Sequence, residues 1–228
     1  MTISGRKPTH LKSPGLRLFV EGKRLLNRGY RARNYKASIK LLERAAALGH
    51  IGARSWLGAA YDYGLGTRKD RRVAFKHYRI AAEAGAANAQ YHVGAFYHDG
   101  TGVRGNYETA VSWLRRAVRQ GDAEAMHLLG LCYRYGRGVP RNAKRGFKLH
   151  MKAARKRVLE AQFSLGVCFS RGEGASANPR QAFRWYLIAA KRGHKDAAHN
   201  VAYFYETGRG VRKNKKKAEI WYRRAKSN

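Results

Sequence analysis

Acidic residues are scarce in this chain of 228 residues: 14 Asp and Glu stand against 48 Lys and Arg, a formal net charge of +34. Charge so one-sided repels itself unless counter-ions or a polyanion neutralise it, so acidic partners are the first expectation. Long apolar runs are also missing. No stretch of about eighteen apolar residues exists, which excludes a membrane-spanning helix, and the N-terminus MTISGRKPTHLKSPGLRLF lacks the apolar centre of a secretory signal. With no acid before Glu21, residues 1–16 read as a disordered basic tail on a cytoplasmic protein, with organelle targeting through that tail as the alternative. Cysteine is limited to Cys132 and Cys168, too few for a disulfide framework. The nine histidines form neither H-E-x-x-H nor part of a C-x-x-C site, and no G-x-x-x-x-G-K-[ST] phosphate loop occurs. RGEGAS (171–176) is not preceded by a strand and names no triad partner, so it is no nucleophile elbow. No catalytic residue, metal ligand or cofactor is therefore assigned, and the chain is expected not to be an enzyme.

What is present is order. A hydrophobic share of 44%, with 14 Tyr, 8 Phe and 4 Trp, argues against wholesale disorder. Self-comparison then finds five blocks in register at a period of 36: residues 51–86, 87–122, 123–158, 159–194 and 195–228. Each opens on Ala53, Ala89, Ala125, Ala161 or Ala197. Gly58, Gly94, Gly130 and Gly166 follow, with Ala202 in the last block, then the aromatics Tyr61, Tyr97, Tyr133, Phe169 and Tyr205. A Gly-x-Gly pair comes next in every block, from Gly64/Gly66 to Gly208/Gly210. The second halves carry Ala74, Ala110, Gly146, Ala182 and Ala218, a bulky residue (His77, Trp113, Leu149, Trp185, Trp221), and Ala81, Ala117, Ala153, Ala189 and Ala225. Small and apolar positions at i, i+4, i+8 and then at i, i+3, i+4, i+7 predict two helices per block, each with one buried stripe, separated by a glycine turn. One hairpin buries too little by itself, so stacking must complete each core. In such a stack Cys132 and Cys168, one period apart, lie roughly 9 to 10 Å from each other, too far for a disulfide, and read as two reduced core thiols. His127 and His199 share a repeat position two layers apart, too distant to ligate one metal.

The pattern A-x-x-x-L-G-x-x-Y-x-x-G-x-G-V…A-x-x-W-Y-x-x-A-A-x-x-G, clearest in EAQFSLGVCFSRGEG (160–174) and NAQYHVGAFYHDGTGV (88–103), resembles the Sel1-like repeat family, a relative of the tetratricopeptide repeat. Upstream, residues 17–50 fit with one residue deleted in the turn between Gly29 and Asn34, and read as an N-terminal cap unit. The expected fold is all-α: a right-handed α-solenoid of antiparallel helix hairpins, about six of them, forming one domain over residues 17–228. At about 9 Å per layer it would be a curved rod on the order of 50 Å long. The resemblance implies an adaptor or assembly role; the protein is expected to be monomeric on its own. Some relatives are secreted, carry a cysteine pair in each repeat and are described as β-lactamases or penicillin binders. This chain has no such pair, and that hydrolase activity is kept only as an alternative.

In register, Asp70, Asn106, Asn142, Asn178 and Asn214 form one column, joined by Asn34 in the cap unit. Asn and Asp lead the N-cap preference, and Pro179 sits where proline suits a first helical position. The segment GVRKNKKKAE (210–219) is thus a turn, a cap and a helix start. A helix start favours acidic residues, by about 0.3 to 1 kcal/mol each. Here Arg71, Arg72, Lys144, Arg145, Arg180, Lys215, Lys216 and Lys217 occupy those first turns, after loops bearing Arg68, Lys69, Arg104, Arg141, Arg212 and Lys213; Glu108 is the exception. This basic edge is the expected contact for an acidic protein segment or for nucleic acid. No RNA-binding module combining aromatic and basic residues is recognised, so the nucleic-acid reading rests on charge. Trp56, Tyr63, His92, Tyr135 and Tyr203, at variable repeat positions, are expected on the concave groove that partners use in this repeat class. A membrane-surface adaptor on anionic lipids is the third reading.

Overall fold

A computed structural model describes residues 13–27 and 32–226. Among the described residues it is entirely helical. The helices are α1 (Pro14–Asn27), α2 (Ala32–Ala47), α3 (Ile51–Tyr63), α4 (Arg71–Glu83), α5 (Ala87–Asp99), α6 (Tyr107–Arg119), α7 (Ala123–Tyr135), α8 (Ala143–Arg155), α9 (Leu159–Arg171), α10 (Pro179–Lys191), α11 (Lys195–Thr207) and α12 (Lys215–Lys226). Within the units, α1 with α2, α3 with α4, α7 with α8, α9 with α10 and α11 with α12 pair as antiparallel hairpins, as the repeat predicts. The packing divides the chain into two compact units, Met1–Asn106 and Tyr107–Asn228, where the repeat pattern alone predicts one domain from residue 17 to 228.

Two expectations change at the N-terminal end. The tail expected over residues 1–16 falls mostly outside the described residues, but α1 opens at Pro14, so its last three positions are helical. Ser13 caps that start, its side-chain oxygen accepting the Leu16 N–H at 3.2 Å. Asn34 is no cap. Helix α2 begins at Ala32 and places Asn34 inside its first turn, and part of the shortened turn expected before it lies outside the described residues.

In the first unit the consecutive helices α1 to α5 pack on one another. Ile39, Leu42, Ala45 and Ala46 of α2 meet Ala53, Leu57 and Ala60 of α3, flanked by Leu18, Phe19 and Trp56. Phe75 and Tyr78 of α4 carry the core on to Phe96 of α5. In the second unit α6 to α12 pack in the same sequential way. One core cluster joins Met126, Ala153, Ala154, Val158, Ala161 and Leu165. Another joins Phe183, Tyr186, Ala189 and Ala190 of α10 to Val201, Ala202, Phe204 and Trp221. Small residues permit these approaches: at Gly166 a methyl group would strike the Tyr186 ring, and at Gly130 it would meet the His150 ring at 2.7 Å. Where Ala202 replaces that glycine, Tyr222 in the corresponding second helix is only partly buried and its hydroxyl donates to Glu206 at 2.8 Å.

Candidate interaction surface

The turn between α9 and α10 shows how a hairpin loop is held. Gly172, left-handed at φ 73°, ends α9, and its N–H reaches the Cys168 carbonyl, which also accepts the Glu173 N–H at 3.0 Å. The Asn178 N–H then returns to the Phe169 carbonyl at 2.8 Å. The Asn178 side chain accepts the Gln181 N–H at 3.0 Å, with Pro179 at the first helical position. The same backbone return links Asp70 to Tyr61, Asn106 to Tyr97, Asn142 to Tyr133 and Asn214 to Tyr205, at 2.7 to 2.9 Å. Asp70, Asn142 and Asn214 likewise cap α4, α8 and α12 through N–H bonds of 2.9 to 3.0 Å.

The second glycine of each pair joins one layer to the next. A Cβ on Gly174 would run into the Ala143 carbonyl at the start of α8, and one on Gly210 into the Pro179 carbonyl at the start of α10. Gly138 approaches the Tyr107 and Glu108 backbone in the same manner; in the first unit Gly66 lies on Tyr35 and Gly102 on Arg71. Every turn therefore rests on the helix start before it. Within the second unit the basic starts of α8, α10 and α12 are consequently neighbours along one edge.

All the residues named for the basic edge are exposed: Arg68, Lys69, Arg71, Arg72 and Arg104 in the first unit, and Arg141, Lys144, Arg145, Arg180, Arg212, Lys213, Lys215, Lys216 and Lys217 in the second. Among them Arg71 alone makes an ion pair within the described residues, with Asp62 at 3.6 Å. Arg145 lies over the Tyr133 ring and Lys217 over the Tyr205 ring, at 5.8 and 5.5 Å from the centroids. In the second unit the first helices of the hairpins start with the other sign, whereas α3 and α5 of the first unit have no acid in their first turns. Helices α7, α9 and α11 have Glu124, Glu160 and Asp196 in their first turns, as the helix dipole favours, whereas α8, α10 and α12 have no acid there.

Of the groove residues, Tyr63, Tyr135 and Tyr203 are exposed, at 65%, 54% and 43%. The other two are half-buried. Trp56 packs on the core cluster of α2 and α3 with the Lys23 ammonium over its ring, and His92 stacks on Tyr78 at 4.2 Å between centroids. Trp56, Tyr63 and His92 belong to the first unit, Tyr135 and Tyr203 to the second.

The second unit also holds a buried polar centre that the repeat pattern does not announce. His127 of α7 and His150 of α8 face each other with Nδ1 atoms 3.2 Å apart, and the His150 Nε2 has no partner. Burial lowers His127 to about 4; burial, reinforced by His127 and Arg134, lowers His150 to about 3. Both rings are neutral near pH 7, so one Nδ1–H donates to the other. Arg134, 5% exposed, donates to Glu173 in the following turn. Burial works against that carboxylate, yet the Arg134 hydrogen bond and charge hold it below the usual range. Cys132 and Cys168 are buried free thiols, and burial raises each to about 11. The centre is thus built from neutral imidazoles, un-ionised thiols and one satisfied ion pair. Its one sequence signal is that His150 stands in the column of Tyr78, Tyr186 and Tyr222. No group of three or more metal-ligating side chains occurs among the described residues, nor any helix long and apolar enough to cross a membrane.

A family model described as the Sel1 repeat matches residues 22–50, 52–85, 87–122, 123–157, 159–194 and 195–228. A search of curated proteins finds none that matches. Among solved structures, the chain is similar to a Sel1 repeat protein from Oxalobacter formigenes, at 30% identity and a TM-score of 0.85, over 96% of this chain and 90% of that one. It is similar also to c5321, a protective antigen of uropathogenic Escherichia coli strains with an SLR fold, at 27% identity and a TM-score of 0.81. That match covers 92% of this chain but 45% of the antigen, so the chain spans under half of its length. The immunity protein Pa5087 of Pseudomonas aeruginosa shares the fold at 18% identity and a TM-score of 0.60, over 97% of this chain and 83% of that one.

Proposed function

The chain belongs to the Sel1 repeat family, whose members serve as protein-interaction scaffolds, and we propose that it is a non-enzymatic adaptor that takes an acidic partner on its basic turn edge. The observation that carries this reading is the contrast between two sets of helix starts in one unit. If basicity were merely general, both sets would be basic. Instead α7, α9 and α11 carry acids in their first turns, beside Lys195 in α11, while the only charges that α8, α10 and α12 carry there are Lys and Arg, against their own dipoles, with Glu108 of α6 as the exception among the second helices. Cations held there, beside N–H groups that lack helical partners, form anion sites repeated from layer to layer. The partner is an acidic polymer rather than a small anion, because the sites recur along an edge.

Two charge-matched variants separate this edge from charge in general. Lys215→Gln, Lys216→Gln and Lys217→Gln together weaken the binding of a polyglutamate chain and reduce its salt dependence. Lys152→Gln, Lys156→Gln and Lys191→Gln, toward the opposite ends of α8 and α10 from the Gly-x-Gly turns, leave both nearly unchanged. Equal losses in the two variants would mean that net charge, and not the edge, holds the partner.

A further inference from the structure

Tyr135 and Arg137 of the turn between α7 and α8 meet Tyr107 from the helix start of the preceding layer. Tyr107, the first residue of α6, and Tyr135, the last of α7, are 42% and 54% exposed. Arg137, the central residue of the intervening Gly-x-Gly, lies over both rings, at 5.6 and 5.5 Å from their centroids. The Arg134 guanidinium backs Tyr135 at 5.1 Å, and Arg141 is fixed against Arg134 by a hydrogen bond from its Nε to the Arg134 carbonyl at 3.1 Å. Beside this array, between Gly138 and α6, opens a cleft of about 480 Å³ lined by Arg115, Arg116 and Arg119, three cations against the single carboxylate of Glu108. Arg115 is anchored there by its bond to the Tyr133 hydroxyl at 3.0 Å.

We propose that this part of the second unit binds an unpaired nucleic-acid strand, with bases against Tyr107 and Tyr135 and the backbone phosphates in the arginine cleft. The proposal rests on the basic-edge reading and extends it from the turn that holds Arg141 to the adjoining face of α6. Exposed aromatic rings add nothing to the capture of a carboxylate, and a duplex keeps its base faces stacked inside itself. Aromatic rings beside cations are what an unstacked base and its phosphate need. The cations are also arginines rather than lysines, and a planar guanidinium both stacks on bases and grips phosphate through two parallel bonds. The strand is read by stacking and charge, so it is bound with little sequence preference.

The test is the fluorescence anisotropy of a labelled oligouridylate titrated with nuclease-treated full-length protein, beside an equally charged polyglutamate and a duplex of the same length. Tyr107→Ala and Tyr135→Ala each weaken oligouridylate binding by about tenfold without changing its salt slope, because stacking carries no charge. The corresponding Phe variants bind like the parent, and polyglutamate binding is indifferent to all four. Replacing Arg115, Arg116 and Arg119 with Gln lowers the slope of log affinity against log salt by about 0.7 for each phosphate no longer neutralised. Oligouridylate affinity within twofold of the parent in both Ala variants overturns the proposal, as does a duplex bound as tightly as the single strand. If polyglutamate binds and oligouridylate does not, the proposal fails while the basic edge stands. If neither polyanion binds at low salt, both readings fail.

Discussion

Acid should loosen the second unit through one pair of side chains. His127 and His150 are neutral in the fold, held to about 4 and about 3 against an ordinary value of 6.5. Below pH 6.5 the unfolded chain binds protons that the folded one refuses, so the contribution is complete above that value and is lost as pH falls from there toward the folded values. A pH of about 5 is roughly 1.5 units below the unfolded value of each ring and still above the folded ones, which at about 1.4 kcal/mol per unit is a loss of about 2 kcal/mol per histidine, or about 4 for the pair. That is a large share of the roughly 5 to 15 kcal/mol that holds a domain together. The next repeat supplies a replacement without the titration. One period on, Phe163 and Tyr186 occupy the places of His127 and His150, 5.8 Å apart between centroids, and Gly166 receives the tyrosine ring as Gly130 receives His150. The double variant His127→Phe, His150→Tyr should therefore fold, its new phenol placed beside Arg134. Urea unfolding followed by circular dichroism, at about pH 8 and about pH 5 in about 0.5 M salt to screen the background charge, measures the difference. The parent should lose about 4 kcal/mol more than the variant between the two conditions. Equal losses would refute the reasoning, because every other histidine is common to both proteins.

The turn between α8 and α9 holds Arg157 at φ 68°, where the equivalent turns hold Gly49, Gly85, Gly121 and Gly193. Arg157→Gly should stabilise the protein by about 0.5 to 1 kcal/mol in the same unfolding assay, since the left-handed cost to a side-chain-bearing residue exceeds the added chain entropy of glycine. The bond from Arg192 to the Arg157 carbonyl is a backbone contact and survives the change. Cys132 and Cys168, raised to about 11 by burial, should react with Ellman's reagent at about pH 8 at least about a hundredfold more slowly than a free thiol, and at the ordinary rate once unfolded.

Much of the fold is written in the repeat. A period of 36, the alanine columns and the Gly-x-Gly turns place all helices from α3 onward, and the Asn and Asp column marks the starts of α4, α8, α10 and α12. Register reasoning failed where the repeat is imperfect. In the cap unit Asn34 aligns with the caps but lies inside α2, which already begins at Ala32. Composition and register together marked the basic edge, because each of its residues stands at a loop or first-turn position that stays exposed. The other groups come from different repeat positions and meet only through stacking. His127 and His150 are 23 residues apart on facing helices, and Arg137 reaches Tyr107 because each turn sits on the helix start of the layer before. A pattern that compares like positions with like does not reveal such meetings. The groove assignment shows the same limit: Trp56 and His92 vary between repeats, yet both are half-buried against aromatic and apolar neighbours.

The central claim is that an acidic partner lies along the turn edge, and lysine footprinting tests it residue by residue. The protein is acetylated briefly with and without saturating polyglutamate, and the modified lysines are quantified by mass spectrometry. Lys144, Lys213, Lys215, Lys216 and Lys217, all exposed at the turns of the second unit, should be protected together, with Lys69 protected at the corresponding turn of the first. Lys156 and Lys191, at the other ends of helices about 20 Å long, should acetylate as in the free protein. Protection spread evenly over both sets, or confined to Lys156 and Lys191, would contradict the account.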